Sequence, residues 1–309
     1  MRRLLWTAAA LAGAVALALG GLALYDRAAP RPAPWLEAQG LVARSEVVDG
    51  HRLRYVRQGN GPAIVLVHGF GSSLYTWKDL IAPLAVDHDV VALDLPGFGL
   101  SDQPADLTLD DLPRAVLGLM DRLQIRQAAL VGNSMGGAAV ALVAAHSPER
   151  VSALVLVDAA GFDTPGRRPA LFRLVTSRAG GLLARLPGQR LLIEIALRQV
   201  FHDRRLVSDE RVAEYLQAAR RPGSFPAVRS LHASFAGRER AVVDVLGRVR
   251  APTLVVWGRE DAWLPLADAG RFASAIAGAR QVTIESCGHL PEEERPAELL
   301  SALRDFLPR

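Results

Sequence analysis

Short apolar runs alternate along this chain with stretches whose apolar residues recur every three or four positions. The runs at 63–67, 89–93, 127–131, 151–157, 252–257 and 281–285 predict strands. The most apolar of them, such as Ala63-Ile64-Val65-Leu66-Val67, read as buried on both faces. Helical periodicity falls between them, at about 73–83, 109–123, 135–146, 241–247, 266–277 and 292–306. Residues 44–57 alternate around Asp49-Gly50, the pattern of a hairpin. Strand alternating with helix predicts an α/β fold, a mostly parallel central sheet flanked by helices.

Two segments depart from that rhythm. Residues 162–236 follow the strand ending at Val157 and show helical periodicity throughout, with breaks expected at Gly180-Gly181, Pro187-Gly188 and Pro222-Gly223. Among their apolar residues, Leu171, Phe172, Leu174, Leu182, Leu183, Leu191, Leu192 and Ile195 read as this insertion's own core. The second departure is N-terminal. Leu4 to Tyr25 carries no charge and as a helix would extend roughly 33 Å, enough for a bilayer core. Arg2-Arg3 before it favours a cytoplasmic N-terminus, and Trp6 and Tyr25 stand where interfacial aromatics are favoured. An uncleaved signal anchor is preferred to a signal peptide cut near Ala18-Leu19-Gly20; either puts the rest of the chain outside the cytoplasm, periplasmic or extracellular, or secreted after cleavage. Residues 28–34 read as a stiff, extended tether. The expected organisation is therefore 1–27 anchor or signal, 28–40 linker, 41–161 with 237–309 as the α/β core, and 162–236 as the helical insertion.

Composition narrows the partners. The net charge of +4 comes almost wholly from arginine, since Lys78 is the only lysine, and the alanine-rich background makes the basic balance compositional. No nucleic-acid motif or clustered basic arm is present, so no nucleic-acid partner is expected. The arginine and leucine of 167–205, with Glu194 and Asp203 the only acids, read as a solvated helical face, or as a face resting on an anionic membrane. The single cysteine, Cys287, excludes an internal disulfide and a cysteine-cluster zinc site.

The chemistry is carried by Gly132-Asn133-Ser134-Met135-Gly136, between an apolar strand and a small-residue helix. Glycines two residues either side of a serine allow a turn so sharp that its hydroxyl stands clear of the backbone. Such a serine needs a base to take its proton and donors to hold an oxyanion. The donor loop is His68-Gly69-Phe70-Gly71 after the strand 63–67, with the N–H groups of Phe70 and Met135 as the expected oxyanion hole. Among seven histidines, His289 alone follows a late strand in a short loop, Ser286-Cys287-Gly288-His289-Leu290-Pro291. His68 is expected to be structural. The acid is Asp261, which follows the strand ending in Trp257-Gly258; Asp158, at the end of the preceding strand, and Glu260 are its rivals. No cofactor and no metal is needed for this chemistry.

Together with Asp94-Leu95-Pro96-Gly97-Phe98-Gly99, these motifs resemble the α/β-hydrolase superfamily, in its branch with a helical cap, over about residues 40 to 309. The resemblance implies that 162–236 is a cap covering Ser134 and lining an acyl or leaving-group pocket. It implies a serine hydrolase of carboxylic esters, an esterase or lipase with the monoacylglycerol type included, acting on small-molecule ester or lipid substrates. The elbow Gly132-Asn133-Ser134-Met135-Gly136-Gly137 also resembles enzymes that hydrolyse carbon–carbon bonds in meta-cleavage dienones, but Leu290 stands where they tend to carry tryptophan. Epoxide hydrolases and haloalkane dehalogenases use aspartate at the elbow, and Ser134 argues against both. A membrane-tethered binding protein without turnover is the remaining alternative.

Overall fold

The computed structural model describes residues 2–162, 173, 176, 177, 180–183, 186–235 and 239–308, with the backbone alone at 2–12, 182, 183, 239 and 240. Eight strands form one sheet in the order β1-β2-β4-β3-β5-β6-β7-β8. They are β1 Arg44–Val48, β2 His51–Gln58, β3 Ala63–Val67, β4 Asp89–Leu93, β5 Ala128–Asn133, β6 Val151–Val157, β7 Thr253–Gly258 and β8 Arg280–Ile284. The β1–β2 and β2–β4 pairs are antiparallel and the other five are parallel. The expected hairpin is β1–β2, turned by Asp49 and Gly50, both at positive φ. Every residue of β4, β5 and β7 is buried, as a sheet covered on both faces requires.

Thirteen helices are described: α1 Arg2–Arg27, α2 Trp35–Ala38, α3 Lys78–Leu84, α4 Asp111–Arg122, α5 Met135–His146, α6 Gly180–Leu183, α7 Gln189–Val200, α8 Asp209–Ala219, α9 Ser224–Phe235, α10 Glu239–Val243, α11 Ala267–Ala275, α12 Pro291–Glu294 and α13 Pro296–Phe306. One sheet face packs against α4, α5 and α11 through residues such as Val116, Met120, Val140 and Phe272. The other packs against α3 and α13 through Leu80, Ile81, Leu299 and Leu303. Helix α5 is buried from Met135 to Ala145, so its glycines and alanines let it lie close against the strands.

Some elements differ from the sequence pattern for local reasons. The helix expected over 292–306 divides at Arg295, because Pro296 disfavours a helical residue before it and has no N–H to give. The tether gives way to α2, whose Trp35 ring meets Tyr75 edge-on at 5.6 Å. Gly180-Gly181 opens α6 instead of breaking the chain; a side chain on Gly181 would lie 2.7 Å from the Phe225 ring. The other two breaks stand, with Gly188 and Gly223 at positive φ. Leu191 and Ile195 are 39% and 38% exposed and do not belong to the insertion's core. Leu171, Phe172 and Leu174, and the side chains of Leu182 and Leu183, lie outside the described residues.

The N-terminal segment is helical, as expected. Among the described residues, no helix is long and apolar enough to cross a membrane. The end of α1 is fastened to the insertion. The Asp26 carboxylate accepts from the Gly188 N–H at 2.7 Å and the Arg190 N–H at 2.9 Å. Arg190 lies over the Tyr25 ring at 4.2 Å and reaches Asp209 at 2.7 Å.

Candidate active site

Ser134 joins β5 to α5 with φ 52° and ψ −116°, a conformation side chains rarely adopt. Its backbone is fastened on both sides: its N–H donates to Val157 at 2.9 Å and its carbonyl accepts from Ala160 at 2.9 Å. The glycines make the turn possible. A side chain at Gly132 or Gly136 would strike neighbouring backbone carbonyls. Strain of this kind persists where the surroundings over-determine it.

Ser134, His289 and Asp261 come together from three separate loops. The His289 Nε2 lies 3.0 Å from Ser134 Oγ, and its Nδ1 lies 2.7 Å from Asp261 Oδ2. Asp261 accepts only, so as a carboxylate it accepts a hydrogen bond from Nδ1–H, which fixes the proton on Nδ1 and leaves Nε2 free to accept from the serine hydroxyl. The other Asp261 oxygen accepts from the Trp263 and Leu264 N–H groups at 2.7 and 3.0 Å. His289 is held from every side. Its carbonyl accepts from Asn133 Nδ2 at 3.1 Å, its N–H donates to the Val200 carbonyl at 2.8 Å, and the Trp263 ring stacks on it at 5.8 Å.

The rivals for the acid separate cleanly. Glu260 bridges two loops instead, accepting from the Cys287 N–H at 2.8 Å while its own N–H donates to the Cys287 carbonyl. Asp158 is fully buried, and one oxygen accepts from the Gly258 N–H at 3.0 Å. Burial and the neighbouring Asp261 push its carboxyl well above the usual range. Cys287 is buried and its thiol pushed up, chiefly by desolvation, so it is unsuited to be a nucleophile.

The two expected oxyanion donors come from the residue after the serine, Met135, and from the loop after β3, Phe70. Met135 opens α5, where the first four N–H groups have no intrahelical acceptor. Phe70 lines the cavity beside Ser134, and the preceding Gly69 packs so close that a side chain there would lie 3.1 Å from the serine Cβ. His68 is structural as expected. It accepts from the Leu95 N–H through Nε2 at 3.0 Å and donates from Nδ1 to the Gly69 carbonyl at 2.7 Å. Burial lowers its pKa and keeps it neutral in that role. Asp94 buttresses the same loops by accepting from the N–H groups of Leu74 and Leu100.

Sequence reasoning missed the acids that follow the histidine. Glu292 and Glu293 both accept from the Thr76 hydroxyl, and Glu293 also pairs with Arg211 at 2.7 Å and with the Tyr215 hydroxyl. Glu294 accepts from the N–H groups of Gly288, His202 and Asp203. Their apolar setting after Leu290-Pro291 gave no sign that three consecutive acids would be buried. Above the serine the insertion closes a cavity of about 260 Å³, walled by apolar side chains that include Phe70, Leu192, Ile193, Val200, Phe225 and Trp263. Among the described residues that line it there is no arginine or lysine.

A family model for the alpha/beta hydrolase fold matches residues 62–296. The chain is 33% identical over 281 residues to a 2-hydroxymuconate semialdehyde hydrolase of Pseudomonas sp. (strain CF600), covering 86% of this chain and 94% of that protein. It is similar to the crystal structure of a membrane phospholipase A described as a bacterial virulence factor, with 29% identity and a TM-score of 0.73 over 99% of this chain and 98% of the other. It is also similar to the meta-cleavage product hydrolase CumD, with 27% identity and a TM-score of 0.74 over 86% of this chain and 97% of that one.

Proposed function

The chain belongs to the α/β-hydrolase fold family, and from that premise we propose that it hydrolyses carboxylic esters of lipid type through an acyl-enzyme on Ser134. One observation carries the reading: the Ser134–His289–Asp261 hydrogen-bonded chain opens into a cavity with an apolar wall. His289 takes the hydroxyl proton as Ser134 attacks the ester carbonyl, and the Phe70 and Met135 N–H groups receive the oxyanion. His289 then passes that proton to the leaving alcohol. In the second half it takes a proton from water, hydroxide adds to the acyl-enzyme, and the proton returns to Ser134 as the acid departs. Asp261 keeps the imidazole in the required tautomer and offsets its charge. The likeness to a membrane phospholipase A over nearly the whole chain supports acyl esters of glycerolipids as substrates.

The second reading, carbon–carbon hydrolysis of a dienone, rests on the likeness to the semialdehyde and meta-cleavage hydrolases. Leu290, which stands where those enzymes tend to carry tryptophan, argues against it. We also assign Leu4–Tyr25 as a signal anchor holding the rest of the chain outside the cytoplasm. The uncharged run behind Arg2-Arg3 supports this, as do uncovered side chains such as Val15 and Leu17, 50% and 81% exposed.

The test is hydrolysis of p-nitrophenyl esters from acetate to palmitate by the full chain beside Ser134→Ala. The expected result is turnover of medium and long esters that falls at least about 10³-fold in the variant. A folded protein that leaves every ester intact and cleaves a dienone would sink the ester reading.

A further inference from the structure

At the end of β6, one strand over from Asp261, a second carboxyl is built into the same buried pocket and has no part in the chemistry above. Asp158 is fully buried, with φ 43°. Donor or acceptor atoms of Asp158, Asp261 and His289 all lie within 4.8 Å of one another. Asp158 Oδ1 is satisfied by the Gly258 N–H, while Oδ2 is buried with no donor facing it. Two carboxylates in one dry pocket cannot both be ionised without a large penalty. Asp261 receives two backbone N–H groups and the imidazole, so the negative charge belongs on Asp261. An oxygen that nothing donates to is the natural place for a hydroxyl that itself donates.

We propose that Asp158 is the neutral half of an acid pair with Asp261: its carboxylic acid donates to the Asp261 carboxylate and positions it, and it takes over the imidazolium when the Asp261 charge is removed. This rests on the assignment of Ser134, His289 and Asp261 as the reacting chain. The other ionisable groups facing Asp158 are Glu292 from α12 and the Cys287 thiol beside it. Neither supplies a positive charge, and the cation that forms here, the His289 imidazolium, is balanced by one carboxylate. Replacing Asp261 by asparagine removes the charge that holds the Asp158 proton in place. Asp158 then ionises against His289, and the pocket still carries one negative charge.

The experiment is ester hydrolysis by wild type, Asp158→Asn, Asp261→Asn and the double variant, with a pH profile for each and circular dichroism to confirm folding. Removing a sole orienting aspartate costs serine hydrolases about 10⁴-fold in kcat. Here Asp261→Asn is expected to lose only about 10- to 100-fold, and the double variant about 10⁴-fold. Asp158→Asn, which keeps the acceptor for Gly258, is expected to lower kcat several-fold at unchanged KM. Its acidic limb should stay where it is in wild type, because a neutral group has replaced a neutral group. Equal losses in Asp261→Asn and the double variant would overturn the proposal. So would an acidic limb that moves down by about a pH unit in Asp158→Asn, which would mean a lost charge. A wild type inactive on every ester would instead remove the ester reading, a result separate from either of these.

Discussion

Glu292 shows how much of this molecule rests on single ionisable side chains. Burial pushes its carboxyl up to about 8 from the ordinary glutamate value of 4.5. Between those two values the native state holds a proton that the unfolded chain has released. Stability therefore falls as pH rises across that window and levels off above about 8. Glu292→Gln keeps an acceptor for the Thr76 hydroxyl and removes the titration. The variant should lose little stability at pH 5 and gain on the order of 4 kcal/mol over wild type at pH 9, read as a smaller fall in Tm between the two conditions. Ser134 makes the complementary point about backbone. Its positive φ was implied by glycines two residues away on each side, so the strained residue was legible from its neighbours. The burial of Glu292, Glu293 and Glu294 was not, because three acids in a row read as solvated until Thr76, Arg211, Tyr215 and the loop amides are brought to them by the fold.

Among the elements, α7 forms a wall of the cavity on one side and meets the N-terminal helix on the other. Its own N-cap, Gly188, has no side chain to offer, and Asp26 supplies the missing acceptor from far away in sequence. Asp26→Ala should cost about 1 kcal/mol of local stability, seen as faster amide exchange over residues 188–192. Because Leu192 and Ile193 lie one turn further along and line the cavity, the same variant should lose more activity on long esters than on acetate. The core strands were readable because burial on both faces leaves continuous apolar runs, and β3, β4 and β6 occupy the expected residues. The faces of α7 were not readable in that way. Leu191 and Leu192 are adjacent and equally apolar, yet the first faces solvent and the second the cavity, a difference set by where α1 and α8 pack.

For the whole molecule, the order of parts along the chain made the site legible and the packing of the insertion kept the substrate hidden. Serine, acid and histidine follow three different strands of one sheet, so each could be placed by strand count. The cavity depends on contacts between segments that no local pattern links, including Arg211 with Glu293 and Phe225 with Gly181. The disposition of the N-terminal segment is a property of this scale as well. If Leu4–Tyr25 anchors the chain with the catalytic domain outside, intact cells should carry the full-length protein in the membrane fraction. Protease added from the outer side should cut it, and alkaline carbonate should fail to release it. Release of a shortened chain into the soluble fraction would instead identify a cleaved signal.

The backbone of His289 hangs from the last turn of α7, and the Glu294 carboxylate holds the amides just beyond it. The insertion and the His289 loop are therefore a single unit of inheritance. A chimera that takes residues 162–236 from a relative while keeping the recipient's 288–294 would arrive with a histidine loop shaped for the wrong roof. Recombination at this fold should succeed only when the two segments, far apart in the gene, travel together.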